Sequence, residues 1–129
     1  MEALAVVSVC GILAAATAPS VRGISEALKL EGDGQRIAMA LTQGRVSAIN
    51  RGHVVVASFT SSTFTVIDTQ NGNEVLATGS LSPNLTLDAT APATFSPLGT
   101  VAAPVVVTLH RGADTRTVRV GLTGMVEIE

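Results

Sequence analysis

His53 and His110 are the first places to look for acid–base or metal chemistry, and neither stands at a metal-ligand spacing. Both fall on expected strands, where a histidine is solvated or structural. No G-x-S-x-G elbow, Walker loop or dinucleotide fingerprint occurs, and Ser61-Ser62 forms no triad that any other chain would not also offer. Gly32-Asp33-Gly34 has the look of a phosphate loop, but it interrupts a helical pattern and follows no strand, so it reads as a local helix weakness. Arg116 and Arg119 read as the polar side of an alternating strand; with Arg111 they are the nucleic-acid candidates. Asn84-Leu85-Thr86 fits the glycosylation sequon by chance. Cys10, the single cysteine, excludes an intrachain disulfide and reads as packing. No catalytic, cofactor-binding or metal-binding residue is expected. The one group whose chemistry demands explanation is Glu2, a carboxylate at the mouth of an uncharged apolar run, where it needs a partner charge.

That run covers residues 3 to 21. At about 1.5 Å per residue it spans about 28 Å, close to the thickness of a bilayer core. Its alanines, Ser8, Gly11, Thr17, Pro19 and Ser20 make it a marginal spanning helix. A cleaved signal peptide would need a basic stretch ahead of the run, and only Met1-Glu2 stands there. Arg22, Lys29, Arg36, Arg45 and Arg51 all follow it, which by the positive-inside rule places the rest of the chain in the cytoplasm unless basic residues precede Met1.

Beyond Pro19, where a kink is expected, the pattern turns amphipathic. Ile24, Ala27, Leu28, Ala38, Leu41, Ala48 and Ile49 fall mostly at three- and four-residue spacings and are assigned to one helical face. Gly52 is the expected C-terminal cap. From His53 the period becomes two, with strands expected over 53–59, 63–68, 74–78, 84–88, 105–110, 117–122 and 126–128, and Asn71-Gly72 as a hairpin turn. The expected organisation is a transmembrane and assembly helix over 1–22, its amphipathic continuation over 23–52, and a β domain over 53–129. The fold class is α+β: one long helix packed on a small antiparallel β-sheet domain. Residues 22–52 carry net +2 and residues 53–129 net −3, so general binding to nucleic acid is not expected. With only Phe59, Phe64 and Phe95 aromatic, base-stacking platforms are excluded as well.

Glu2-Ala-Leu-Ala-Val-Val, Gly11-Ile-Leu-Ala-Ala and Ala18-Pro19 resemble the N-terminal helix of type IV pilins and type II secretion pseudopilins. Ala48-Ile-Asn-Arg-Gly52 before a valine strand, Phe95-Ser-Pro-Leu-Gly-Thr100 and residues 116–126 are similar to the GspH/FimT-like minor pseudopilins. The resemblance covers nearly the whole chain and is most specific at its N-terminal end. It implies a pilin-like structural subunit rather than an enzyme. Such a subunit sits in the bacterial inner membrane by a single pass, with its β domain in the periplasm. Its partners are other pseudopilins or pilins and the inner-membrane assembly platform, in a helical hetero-oligomeric filament. Glu2, Gly11 and Pro19 are then the assembly residues, with Glu2 pairing the free N-terminal amine of a neighbour. A basic leader is expected upstream of Met1, which also resolves the charge bias. DNA-binding members carry a Gly-Arg-x-Arg motif near the C-terminus; this chain has Gly124-Met-Val-Glu127, which counts against DNA uptake. A DNA-binding minor pilin of natural transformation, and a membrane-tethered β domain binding a small ligand or protein, stay open as alternatives.

Overall fold

The computed structural model describes residues 2–129, with side chains from Ala27 onward. One α-helix, α1, runs Glu2–Arg51. Its buried stripe is Leu30, Gly34, Ile37, Leu41, Gly44 and Ala48, spaced by four and three in alternation, with Asp33, Ala38 and Ala40 at its margins. Ala38, Leu41 and Ala48 were placed correctly by the apolar pattern. Ala27, Leu28 and Ile49 were not: all three are exposed. The cause is that the true stripe passes through two glycines, which supply contact without supplying hydrophobicity.

Eight strands follow: β1 Val55–Phe59, β2 Thr63–Asp68, β3 Glu74–Ser80, β4 Thr86–Ala89, β5 Ala93–Phe95, β6 Val105–Arg111, β7 Asp114–Val120 and β8 Val126–Ile128. They form two four-stranded antiparallel sheets, ordered β3-β2-β1-β5 and β4-β6-β7-β8. The helix packs on strands of both. Alternation supplies the core: Val55 and Ala57, Phe64 and Val66, Val105, Val107 and Leu109, and Val118 and Val120 point inward. Leu85 and Leu87 are buried as their spacing implies. Leu122 is not, because β7 ends at Val120 and Leu122 stands on the following turn.

Three local expectations change. Sequence pattern gave seven strands; β5 is the eighth, three residues between Pro92 and Pro97, too short to alternate visibly yet carrying fully buried Ala93 and Phe95. Asn71-Gly72 is not a two-residue hairpin. Asp68 pairs with Glu74, so residues 69–73 form the connection, with left-handed φ at Gly72 and Asn73. Gly32 and Gly34 do not interrupt the helix, and Gly34 faces Leu109 and Arg116.

Candidate assembly surface

Three sets of polar contacts mount the helix on the sheets. Near its entry, buried Asp33 accepts the Ser82 backbone N–H at 2.7 Å and Arg36 Nη1 at 3.1 Å. The same Arg36 nitrogen also reaches the Ser80 carbonyl at 3.1 Å, and the guanidinium lies 5.7 Å from the Phe64 ring centroid. The Gly-Asp-Gly segment is therefore a docking point for the β3–β4 loop. At mid-helix Arg45 Nε donates to the Gly99 carbonyl at 3.2 Å. Gly124 lies against the same carbonyl and the Arg45 side chain, so two glycine turns with left-handed φ pack together on one arginine.

The helix ends in a Schellman arrangement: Gly52 takes φ +65° and the His53 N–H donates to the Ala48 carbonyl at 3.2 Å. Arg51 Nη1 then donates to Asp68 Oδ2 at 3.2 Å and to Glu74 Oε2 at 2.7 Å. Asp68, fully buried at the inward end of β2, also meets His53 Nδ1 at 2.9 Å and the Gln70 N–H at 3.0 Å. The His53 hydrogen bond holds the Asp68 carboxyl below its usual range, helped by Gln70 and Arg51. Arg51, then Asn71, holds Glu74 low, while Glu74 and Asp68 push the Arg51 guanidinium up. Through Arg51 these contacts tie the C-terminal end of the helix to β2 and β3.

What the mount leaves uncovered is the opposite side of the helix. Leu28, Met39, Val46 and Ile49 are 60%, 71%, 48% and 46% exposed. They lie on one face with Gln35 and Thr42, at spacings of seven, four, three, four and three. A groove of about 700 Å³ runs along this ridge, walled by Ala38, Met39, Val46 and, from β8, Ile128. An exposed apolar strip of this extent on a rigid helix is suited to a protein or membrane partner.

The side chains of Glu2, Gly11 and Pro19 lie outside the described residues. Among the residues whose side chains are described no helix is long and apolar enough to cross a membrane, and the run 3–21 lies outside those residues. No group of metal-ligating side chains is found among the described residues. Arg116 and Arg119 do not share a side of β7 as expected. Arg116 has the parity of inward-facing Val118 and packs by Gly34, whereas Arg119 pairs across from Glu127 on the outer face. Arg119 meets Glu129 at 3.2 Å and Arg111 meets Asp114 at 3.0 Å. The three arginines therefore form no common basic patch. His53 precedes β1 and serves the Asp68 cluster. Of the structural groups, Asp68 was legible only as the third inward position after Phe64 and Val66, and the Asp33–Ser82 contact left no sequence signal.

The fold has close counterparts. The type IV minor pilin FimU of Pseudomonas aeruginosa aligns with a TM-score of 0.69 at 12% identity, covering 82% of this chain and 92% of that one. The minor pseudopilin EpsH from the type 2 secretion system of Vibrio cholerae aligns at 0.66 with 14% identity, covering 78% and 96%. Curated proteins contain no significant match to this chain. The family model described as "Type II transport protein GspH" matches residues 33–124, which take in the helix mount, strands β1 to β7 and the glycine turns. With most of its length matched, the chain belongs to the GspH family, and it has the pilin-like fold of a minor pseudopilin.

Proposed function

We propose that this protein is a minor pseudopilin, a non-catalytic structural subunit of a type II secretion pseudopilus or type IV pilus. It assembles through its N-terminal helix with other pseudopilins or pilins and the inner-membrane platform, from a single-pass position with its β domain in the periplasm. The observation that carries this reading is the ridge of Leu28, Met39, Val46 and Ile49, exposed along a helix that is fastened at three points. A soluble carrier of a small ligand would cover such a strip; a filament subunit needs it. Glu2, Gly11 and Pro19 extend the same role into the apolar run, where an ion pair between Glu2 and a neighbour's amine would reward correct register.

DNA binding is not favoured, because Arg111 and Arg119 are already paired with acids and Arg116 stands on the other face from Arg119. The test is Met39→Glu beside Glu2→Ala, each co-expressed with the neighbouring pseudopilins and followed by crosslinking. Met39 is exposed, so the isolated variant keeps its stability to within about 0.5 kcal/mol. Both changes are expected to cut heteromeric crosslinks at least tenfold while the β domain resists protease as before. Unchanged crosslinking in both variants would sink the assembly reading.

A further inference from the structure

The connection between β2 and β3 holds a pair of residues able to react with each other. The chain has four asparagines, Asn50, Asn71, Asn73 and Asn84, and each can cyclise only through the backbone nitrogen of the residue after it. The nitrogen after Asn50 lies within α1. The one after Asn73 donates to the Asn71 carbonyl at 3.3 Å, and the one after Asn84 donates to the Ser82 carbonyl at 3.3 Å. The nitrogen after Asn71 belongs to Gly72 and makes no hydrogen bond among the described residues. We infer that Asn71 is a site of spontaneous deamidation through Gly72, and that the carboxylate it gains loosens the hold of Glu74 on Arg51 at the end of the helix.

Local structure favours the ring closure. Residues 69–73 are exposed, and a Cβ at Gly72 would meet nothing within 4 Å, so no neighbour shields that nitrogen from water. The Glu74 N–H closes on the Asn71 carbonyl, and φ is +64° at Gly72 and +57° at Asn73, the pattern of a type I′ turn. Its first central residue, a glycine, has no side chain to obstruct attack. Loss of the Gly72 amide proton to hydroxide frees an electron pair that attacks Asn71 Cγ. The N–Cγ bond forms, the Cγ–Nδ2 bond breaks, and Nδ2 leaves as ammonia with a proton from water, which regenerates hydroxide. The attack is intramolecular and gains the advantage of proximity. Water then opens the imide. Opening at Cγ leaves an ordinary aspartate, whereas opening at the main-chain carbonyl leaves a backbone longer by one methylene. Water enters, ammonia leaves, and nothing is oxidised or reduced.

The surroundings give the change a consequence. Asn71 Nδ2 donates to Glu74 Oε2 at 2.6 Å, and the same oxygen accepts Arg51 Nη1 at 2.7 Å. Deamidation replaces that donor by a carboxylate oxygen, and two anions cannot stay at hydrogen-bond distance unless one moves or takes a proton. Arg51 and then Asn71 hold the Glu74 carboxyl low, and the second of these turns from a donor into a like charge. One guanidinium then faces the new carboxylate as well as Glu74 and Asp68. Asp68 keeps its His53 and Gln70 contacts, so the buried end of the cluster persists while its exposed end opens. A backbone lengthened by one methylene adds a second disturbance, because the pairing of Asp68 with Glu74 pins both ends of the connection. The mount thus carries a slow chemical clock at one of its exposed contacts.

The full chain in detergent micelles, held at mildly alkaline pH and sampled over days, tests this by peptide mass spectrometry, with enzymatic methylation of isoaspartate as a second readout. Conversion at Asn71 is expected to run at least about tenfold faster than at Asn73 or Asn84, which needs only a small difference in barrier. Asn71→Gln should end conversion at that position, because its longer side chain closes a less favourable ring, and Gly72→Ala should slow it. Asn71→Asp, the product of the ordinary opening, should lower the melting temperature by about 4 to 8 °C. With Glu74→Gln already in place the same change should cost clearly less, because a neutral amide at position 74 can donate to the new carboxylate. Conversion no faster at Asn71 than at Asn84 overturns the site. An Asn71→Asp variant that melts with the parent, or that loses as much beside Glu74→Gln as without it, overturns the effect on the helix end.

Discussion

Replacing Gly44 by alanine sets two effects of similar size against each other, and the structure decides the sign. A glycine inside a helix costs about 1 kcal/mol relative to alanine, so helix propensity alone favours the change. A Cβ at Gly44, however, would sit 2.9 Å from Val66 Cγ1, 3.5 Å from Val55 Cγ1 and 3.7 Å from Phe95 Cε2. Val66 and Phe95 are fully enclosed, and overpacking such a site costs about 1 to 3 kcal/mol. The net expectation is a loss of about 0 to 2 kcal/mol. Gly32 provides the control, because a Cβ there meets nothing within 4 Å. Gly32→Ala should gain nearly the full propensity difference, raising the melting temperature by about 4 to 8 °C for a domain of this size. Gly34→Ala, whose Cβ would rest at an ordinary 3.5 Å from Leu109, should also gain. Thermal and urea unfolding of the full chain in detergent micelles, followed by circular dichroism, separates these outcomes. If Gly44→Ala stabilises as much as Gly32→Ala, the close approach of helix and sheet carries no energetic weight and the account of the mount is wrong.

Asp33→Ala strands the Ser82 N–H and removes the Arg36 pair, so a loss of about 1 to 3 kcal/mol is expected in the same unfolding assay. No loss would mean that water replaces the carboxylate without cost. Because Asp68 titrates lower folded than unfolded, its stabilisation is fully present above about pH 3.9 and disappears as pH falls through the folded value. Stability measured from pH 6 down to pH 2 should therefore show an acid limb that flattens in Asp68→Asn. An identical limb in the variant would assign it to other carboxylates. Gly124→Ala must carry both left-handed strain, about 1 to 2 kcal/mol, and a collision with the Gly99 carbonyl, whereas Gly112→Ala carries strain alone. The first variant should lose clearly more stability than the second, and equal losses would show that the two glycine turns can part freely.

Residue type and period were sufficient for the long helix, its Gly52 cap, most strand positions and the inward faces of β6 and β7. These follow from nearest-neighbour geometry, because side chains alternate along a strand and recur every three or four residues along a helix. The pilin resemblance was likewise written in local strings, from Glu2 to Pro19 and from Ala48 to Gly52. The side of the helix that is buried was legible only in part: Ala38, Leu41 and Ala48 marked it, but Gly34 and Gly44 mark it by close approach and glycine carries no hydrophobic signal. Only the tertiary structure could turn Leu28 and Ile49 outward, bring Asp33 to Ser82 across 49 positions, and set Arg51, His53 and Glu74 around Asp68. A charge pattern read along one strand cannot say which acids lie across from it, so Arg111 and Arg119 became paired residues only once β7 found β6 and β8. Sequence alone thus determined that a helix of this kind exists and what family it serves. Which of its faces is fastened and which is left for partners was decided by the contacts between residues far apart in the chain.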